Sequence, residues 1–353
     1  MSYFITCTSC GYIEKKNIIS CTQCNGGLEV TYKSKGEINK NKNSIFERYS
    51  SFLPVQDESI LKKYPNNPTS VIALNKEDTY AKLEYCSFSS SSKDREAFIE
   101  IAMAIELGYI GIAVASTGNM GGALASLCAR MQFPCHVFIP ADTSSNKVNQ
   151  IEQFGVNIKK IDGTYDDIVP RVTKFAKNNN FFLASLQAYR FEGYKTIAYE
   201  IFEAFGKNLP QNIIVPLGDG TTYVAVWKGF MDLKSIGLID KCPSMIGVQA
   251  ENCAPIVNAY INKNRIQLVN NPKTIAKAIR IGDPLDGNYA LKVVKDTRGN
   301  MFCYSEDQII ELQRELLKEG INAEYTSAIT YGPILYNNMK NCLLLITGIG
   351  FKN

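Results

Sequence analysis

Cys7, Cys10, Cys21 and Cys24 are spaced C-x2-C-x10-C-x2-C. Each close pair can ride on a tight knuckle and turn two thiolates toward one tetrahedral ion, the arrangement that zinc takes with sulfur ligands. Gly11 follows the first pair and Asn25-Gly26-Gly27 the second, residues that tolerate the backbone such knuckles require. Four protein ligands close the coordination sphere and leave no position for water or substrate, so the expected Zn2+ is structural. Four unliganded thiols are the competing reading.

A second kind of chemistry is suggested by SSSSKDREAF, residues 89–98, where Lys93 stands between a hydroxyl-rich turn and the start of an apolar helix. Read alone, this is a solvated helix N-terminus, since a serine cap and an aspartate in the first turn are ordinary start signals. Three glycine turns give it context: STGNMGG (116–122), LGDGTT (217–222) and TGIG (347–350), each after an apolar run. Glycine turns that open helices leave backbone N–H groups pointing outward, a chemistry suited to an anion. Singly each turn is a common feature.

The elements that must position these residues alternate short apolar runs with amphipathic stretches, the βαβ signature of a largely parallel sheet covered by helices. The expected strands are 110–116, 135–140, 156–161, 181–185, 212–217, 245–250 and 342–347. Helices are expected over 94–108, 121–131, 147–155, 165–178, 194–206, 223–237 and 306–320, with Pro170 interrupting the fourth. No internal repeat is present. His136, the sole histidine, falls inside a strand, a core or edge position more than a catalytic one.

At 353 residues, 45% hydrophobic and 20% charged, the chain can bury a large core and divide into two or three domains. Its 38 basic residues nearly balance 34 acidic ones, giving a net charge of +4 that sets up no global field for nucleic acid or an acidic membrane. KGEINKNK at 35–42 reads as a solvated linker. With no long apolar run and no signal-peptide pattern in MSYFITCTSC, the expected location is the cytoplasm. Cys128, Cys135 and Cys342 lie in apolar runs and suit reduced core thiols.

In their order, the lysine segment and the glycine turns resemble the fold-type II pyridoxal-phosphate enzymes (the tryptophan synthase beta family), threonine synthases most closely. The resemblance extends from the cysteine ribbon to the closing TGIGFKN, which is similar to the TGHGLKD ending of many threonine synthases. It implies an α/β fold of two open, largely parallel sheet domains plus a small N-terminal zinc ribbon. The implied domains are the ribbon at 1–34, a large cofactor domain at 35–100 with 190–353, and a smaller mobile α/β domain at 101–189.

The same resemblance assigns roles. The lysine of a segment like NPTGSFKDRG carries pyridoxal 5'-phosphate covalently, and the matching residue is Lys93, preceded by Lys82-x-Glu84. A lysine amine can carry a cofactor aldehyde and then move protons, provided its surroundings lower its pKa. Asn119 would bond the cofactor's phenolic oxygen, Gly218, Asp219, Gly220, Thr221 and Thr222 would cup its phosphate, and Thr347 would face the ring nitrogen. The Ser116, Thr117, Gly118 and Met120 turn would hold the substrate carboxylate, and Arg190, with the Ser116 and Thr117 hydroxyls, a substrate phosphate.

Departures from the family pattern are SFSSSS for NPTGSF, Glu96 for the glycine after KDR, Ile349 for the histidine of TGHG, Ala184 for an asparagine, and Asp219 in the cofactor cup. The Ala184 and Asp219 changes bear on the substrate. The expected reaction is therefore that of threonine synthase, O-phosphohomoserine to threonine by γ-elimination of phosphate and β-addition of water. The alternatives are a diverged relative acting on serine, phosphoserine or threonine, and a non-enzymatic zinc-ribbon interaction protein. The implied partner is a small amino acid, with a homodimer as the compatible assembly.

Overall fold

The computed structural model describes residues 3–352 apart from 16, 17, 34, 35, 66, 144, 163 and 164. The expected ribbon boundary at 34/35 lies outside the described residues, as do the first residue of the 35–42 linker and the final Asn353. The strands in chain order are β1 (Tyr3–Cys7), β2 (Ile13–Glu14), β3 (Leu28–Tyr32), β4 (Val71–Ala73) and β5 (Thr79–Leu83). Then come β6 (Gly111–Ala115), β7 (Cys135–Pro140), β8 (Asn157–Ile161) and β9 (Phe181–Leu183). The last four are β10 (Asn212–Pro216), β11 (Ser244–Ala250), β12 (Asn300–Tyr304) and β13 (Cys342–Ile346).

The chain forms two compact units, 1–67 with 93–193, and 68–92 with 194–353. This division groups 36–65 and 93–100 with the 101–189 segment. The reason lies in the packing of the Lys93–Glu106 helix, where Phe98 stacks on Phe46 at 4.9 Å and meets Tyr64 at 4.8 Å.

In the first unit the ribbon is an antiparallel sheet in the order β2-β1-β3, and the larger sheet is all parallel in the order β8-β7-β6-β9. Ala113, Ala115, Phe138 and Leu183 from that sheet pack on Ile168, Val172 and Ala176, one stripe of the Tyr165–Asn178 helix. That helix runs through Pro170, against expectation. A proline so near the N-terminus removes one hydrogen bond, while the i, i+4, i+8 apolar stripe continues on both sides of it.

The second unit has a six-stranded sheet in the order β12-β11-β10-β13-β5-β4, parallel except for the edge strand β4. Its central strands are apolar along their length, as sheets buried on both faces require: all five residues of β13 are buried. β13, last in sequence, lies between β10 and β5. Under β5, Lys82 is fully buried, with Nζ 2.6 Å from Glu200 Oε2, 3.4 Å from Glu84 Oε1 and 2.8 Å from the Thr69 carbonyl. Burial of an ammonium is tolerated here because carboxylates and a carbonyl replace its water.

Candidate active site

The serine run before Lys93 is not a solvated turn. The Ser87 hydroxyl donates to the Ser91 carbonyl at 2.6 Å and accepts the Ser91 N–H at 3.1 Å, closing a tight loop with Ser90 at φ 59°. Ser91 then bridges to Gly348, and the Ser92 N–H donates to the Thr347 carbonyl at 2.8 Å. The loop is thus fastened to the turn that follows β13, and Lys93 is the next residue. From Ser91 to Ala104 every residue is buried except Lys93, whose side chain is 27% exposed.

Lys93 opens its helix, and its Nζ lies 3.4 Å from Glu96 Oε2. Glu96 is buried, and Glu100 one turn further on is completely so. Both Glu100 oxygens accept the Ser185 N–H, at 2.9 and 3.0 Å. Ser185 follows Leu183 and Ala184 in the left-handed region at φ 65°, a conformation that costs a non-glycine residue roughly 1 kcal/mol. Burial first, and the Glu96 charge second, push the Glu100 carboxyl well above the usual range, against opposing effects of the Ser185 N–H, Arg190 and Lys93. The helix start is fixed by Gly193, where a Cβ would stand 1.9 Å from the Arg95 carbonyl oxygen.

Ser116, Thr117 and Asn119 are half-buried at the β6 turn, with Met120 buried and Gly118 exposed. The Ser116 hydroxyl accepts the Gly118 N–H at 3.3 Å and the Gly121 N–H at 3.1 Å, so it caps the Asn119–Met131 helix and shapes the turn. Arg190 is buried, its guanidinium 4.1 Å from the Phe191 ring centre. Its Nη1 donates to the Leu28 carbonyl of the ribbon at 2.6 Å and to the Gln187 carbonyl at 3.1 Å. His136 sits between the Phe175 and Phe181 rings, each 4.9 Å away, and burial, then Lys159, lower its pKa.

In the second unit, Gly218 to Thr222 lead from β10 into the Thr221–Ser235 helix. Gly220 has φ 96°, and a Cβ on it would come within 2.9 Å of the Asp286 carbonyl oxygen. The first-turn N–H groups of a helix have no intrahelical acceptor and favour anions. Asp219 Oδ1 accepts one of them, the Thr221 N–H, at 3.0 Å. The Thr221 hydroxyl donates to Asp286 Oδ2 at 2.7 Å, and the Asp286 N–H donates to the Asp219 carbonyl at 2.8 Å. At the β13 turn the Thr347 hydroxyl is 3.0 Å from that of Ser327, which also accepts the Gly348 N–H at 3.0 Å. Taken unit by unit, the partly exposed amine of the first, and the glycine-lined helix N-terminus and neutral hydroxyl of the second, are groups of the kind that suit pyridoxal phosphate.

The ribbon thiols fit a tetrahedral ion. Their Sγ atoms all lie within 4.8 Å of one another, with Cys7–Cys24 at 3.5 Å and Cys10–Cys21 at 3.7 Å. Four sulfurs at zinc-ligand distance stand about 3.8 Å apart. Gly11 at φ 73° and Asn25 at φ 58° close the two knuckles. Cys128, Cys135 and Cys342 are free and buried.

Glu100, Ser185 and Asp286 escaped the sequence reading. Glu96 and Glu100 were available as an i, i+4 pair on an otherwise apolar helix; Ser185 and Asp286 act through loop backbone and left no pattern.

A family model described as "Pyridoxal-phosphate dependent enzyme" matches residues 64–347. The chain is 33% identical to a threonine synthase of Methanocaldococcus jannaschii, across 98% of this chain and 92% of that relative. It is also 33% identical to one of Methanosarcina acetivorans, across 92% and 84%. Among solved structures, the processed form of threonine deaminase isoform 2 from Solanum lycopersicum matches with a TM-score of 0.70 at 17% identity, covering 94% of each chain. Maize serine racemase matches with a TM-score of 0.68 at 19% identity, covering 83% of this chain and 93% of that one. These two likenesses show the fold.

Proposed function

The chain belongs to the pyridoxal-phosphate dependent enzymes as a relative of threonine synthases, and on that basis we propose that it is a carbon–oxygen lyase that converts O-phosphohomoserine to threonine. The observation that carries the reading is Lys93, the one partly exposed residue in a stretch otherwise buried from Ser91 to Ala104. A solvated helix start would expose its neighbours too. A lysine held this way is presented for reaction.

When bound, the cofactor supplies an electron sink for negative charge at the substrate α-carbon. Lys93 holds it covalently and afterwards takes up the α-proton. The first-turn N–H groups at Gly218 to Thr222 would hold its phosphate, Asn119 its phenolic oxygen, and Thr347 would offer the ring nitrogen a hydroxyl that donates no charge. The backbone from Ser116 to Met120 holds the substrate carboxylate. The four ribbon cysteines hold Zn2+, with no part in the reaction.

A second reading, elimination from an amino acid that is not a phosphoester, is supported by Arg190, which donates to the Leu28 and Gln187 carbonyls. Two experiments test these assignments. Borohydride reduction of the holoenzyme should attach the cofactor to Lys93, and Lys93→Ala should lose the covalent visible band; a label on another lysine rejects the assignment. Phosphate release from O-phosphohomoserine, set against keto-acid formation from serine and threonine, separates the two substrate readings.

A further inference from the structure

We propose that Glu96 is a second catalytic residue, the carboxylate that takes the proton from Lys93 Nζ and returns it. The proposal rests on Lys93 being the amine that carries the cofactor. The resemblance described above places a glycine at this position. Here a carboxylate occupies it, 3.4 Å from Nζ and buried while the amine is partly exposed. A carboxylate that merely complemented a helix N-terminus would gain as much in solvent; a buried one must be compensated by its neighbours.

Those neighbours form a proton-holding group. Glu96 faces Lys93 and Glu100 on its own helix, and Arg190 acts on Glu100 from the Ala188–Phe191 turn. Glu100 is anchored by Ser185, whose backbone is held in the left-handed region while its N–H bonds both carboxylate oxygens. Burial first and the Glu96 charge second oppose ionisation of Glu100, so the carboxyl group one helical turn from Glu96 responds to the charge that Glu96 carries. Glu100 is the positioning residue in that pair, since it contacts no reacting atom.

The proton count closes. Once Lys93 is released from the cofactor, its neutral amine accepts the substrate α-proton and becomes an ammonium. That ammonium passes one proton to Glu96 Oε2, restoring the neutral amine and leaving a neutral carboxyl. The same proton travels back through Nζ to a substrate carbon or to the departing oxygen, and the carboxylate is regenerated. No other reactant is needed. A carboxyl able to hold the proton lets one lysine serve two successive transfers.

The test uses holoenzyme and three variants, Glu96→Gln, Glu96→Gly and Glu100→Gln. Borohydride trapping and peptide mapping first establish whether the label is on Lys93; a label elsewhere rejects this proposal together with the reading beneath it. With the label on Lys93, the visible band of the lysine-bound cofactor is titrated with pH. Loss of an opposite charge beside the nitrogen should lower the midpoint by about one unit or more in Glu96→Gln and Glu96→Gly. Exchange of the substrate α-hydrogen with deuterated solvent should slow at least about tenfold with KM nearly unchanged, as loss of a positioned acid–base group does. A label on Lys93 with wild-type midpoint and exchange rate in both Glu96 variants overturns the proposal while leaving the cofactor assignment intact. Glu100→Gln should shift the midpoint less than Glu96→Gln; a larger shift would transfer the role to Glu100 and overturn the assignment to Glu96.

Discussion

Asp219 can be altered in a way that separates its two roles. Its Oδ1 accepts the Thr221 N–H at 3.0 Å from the position just before Gly220, where the helix whose N-terminus is assigned to the cofactor phosphate begins, and it brings a negative charge to the same place. Asparagine keeps the oxygen acceptor and makes the same side-chain turn. Asp219→Asn should therefore change unfolding free energy by less than about 0.5 kcal/mol. Asp219 is half-buried, so removing its charge should relieve like-charge repulsion of a bound phosphate by about 1 kcal/mol, on the order of fivefold in Kd. The assay is absorbance titration of the cofactor-free protein with pyridoxal phosphate. Asp219→Ala serves as control: it should also relieve the repulsion but lose about 1 kcal/mol of stability with the hydrogen bond to the Thr221 N–H. Unchanged or weaker cofactor binding in Asp219→Asn, at wild-type stability, would refute the phosphate assignment of this helix.

Replacing Cys21 with Ser should weaken zinc binding by more than about a hundredfold and loosen the ribbon, because metal affinity and local folding are one linked free energy. The visible cofactor band should survive; loss of the chemical step alone on zinc removal from folded protein would contradict a structural role. Glu200→Gln removes the closer carboxylate from buried Lys82 and should cost about 3 kcal/mol in urea unfolding, whereas a cost under 1 kcal/mol would mean Glu84 suffices. Gly193→Ala must displace the Arg95 carbonyl and should cost at least about 2 kcal/mol, measured by thermal unfolding. Glu100, whose folded pKa is raised by burial and then Glu96, contributes stability that is fully present below the ordinary glutamate pKa and is lost as pH rises through the folded value. Glu100→Gln should flatten the stability–pH curve above pH 5 and gain on wild type toward pH 8; identical slopes would argue against the shift.

The parallel framework was legible because β6, β7, β10, β11 and β13 are apolar runs that stand out from amphipathic helices. β5 was not, since Lys82 interrupts TYAKL and only its buried carboxylate partners make that lysine a core residue. The three-residue edge strand β4 is too short to show a period. Cysteine spacing gave the ribbon knuckles because the ligands are local in sequence. The fastening of Ser91 and Ser92 to the turn after β13 joins segments far apart along the chain, and no local pattern encodes it. Pro170 shows the converse, a strong local signal overruled by a continuous buried stripe.

The place of β13 between β10 and β5 has a consequence for synthesis. A ribosome delivers β5 and β10 long before β13, so the second unit cannot close its sheet until residue 346 has emerged. Until then β5 and β10 each present an unpaired strand edge, the kind of surface that recruits other chains. The first unit, complete by residue 193, faces no such wait. Nascent chains halted between residues 216 and 342 should accordingly carry a finished first unit and depend on chaperones for the second.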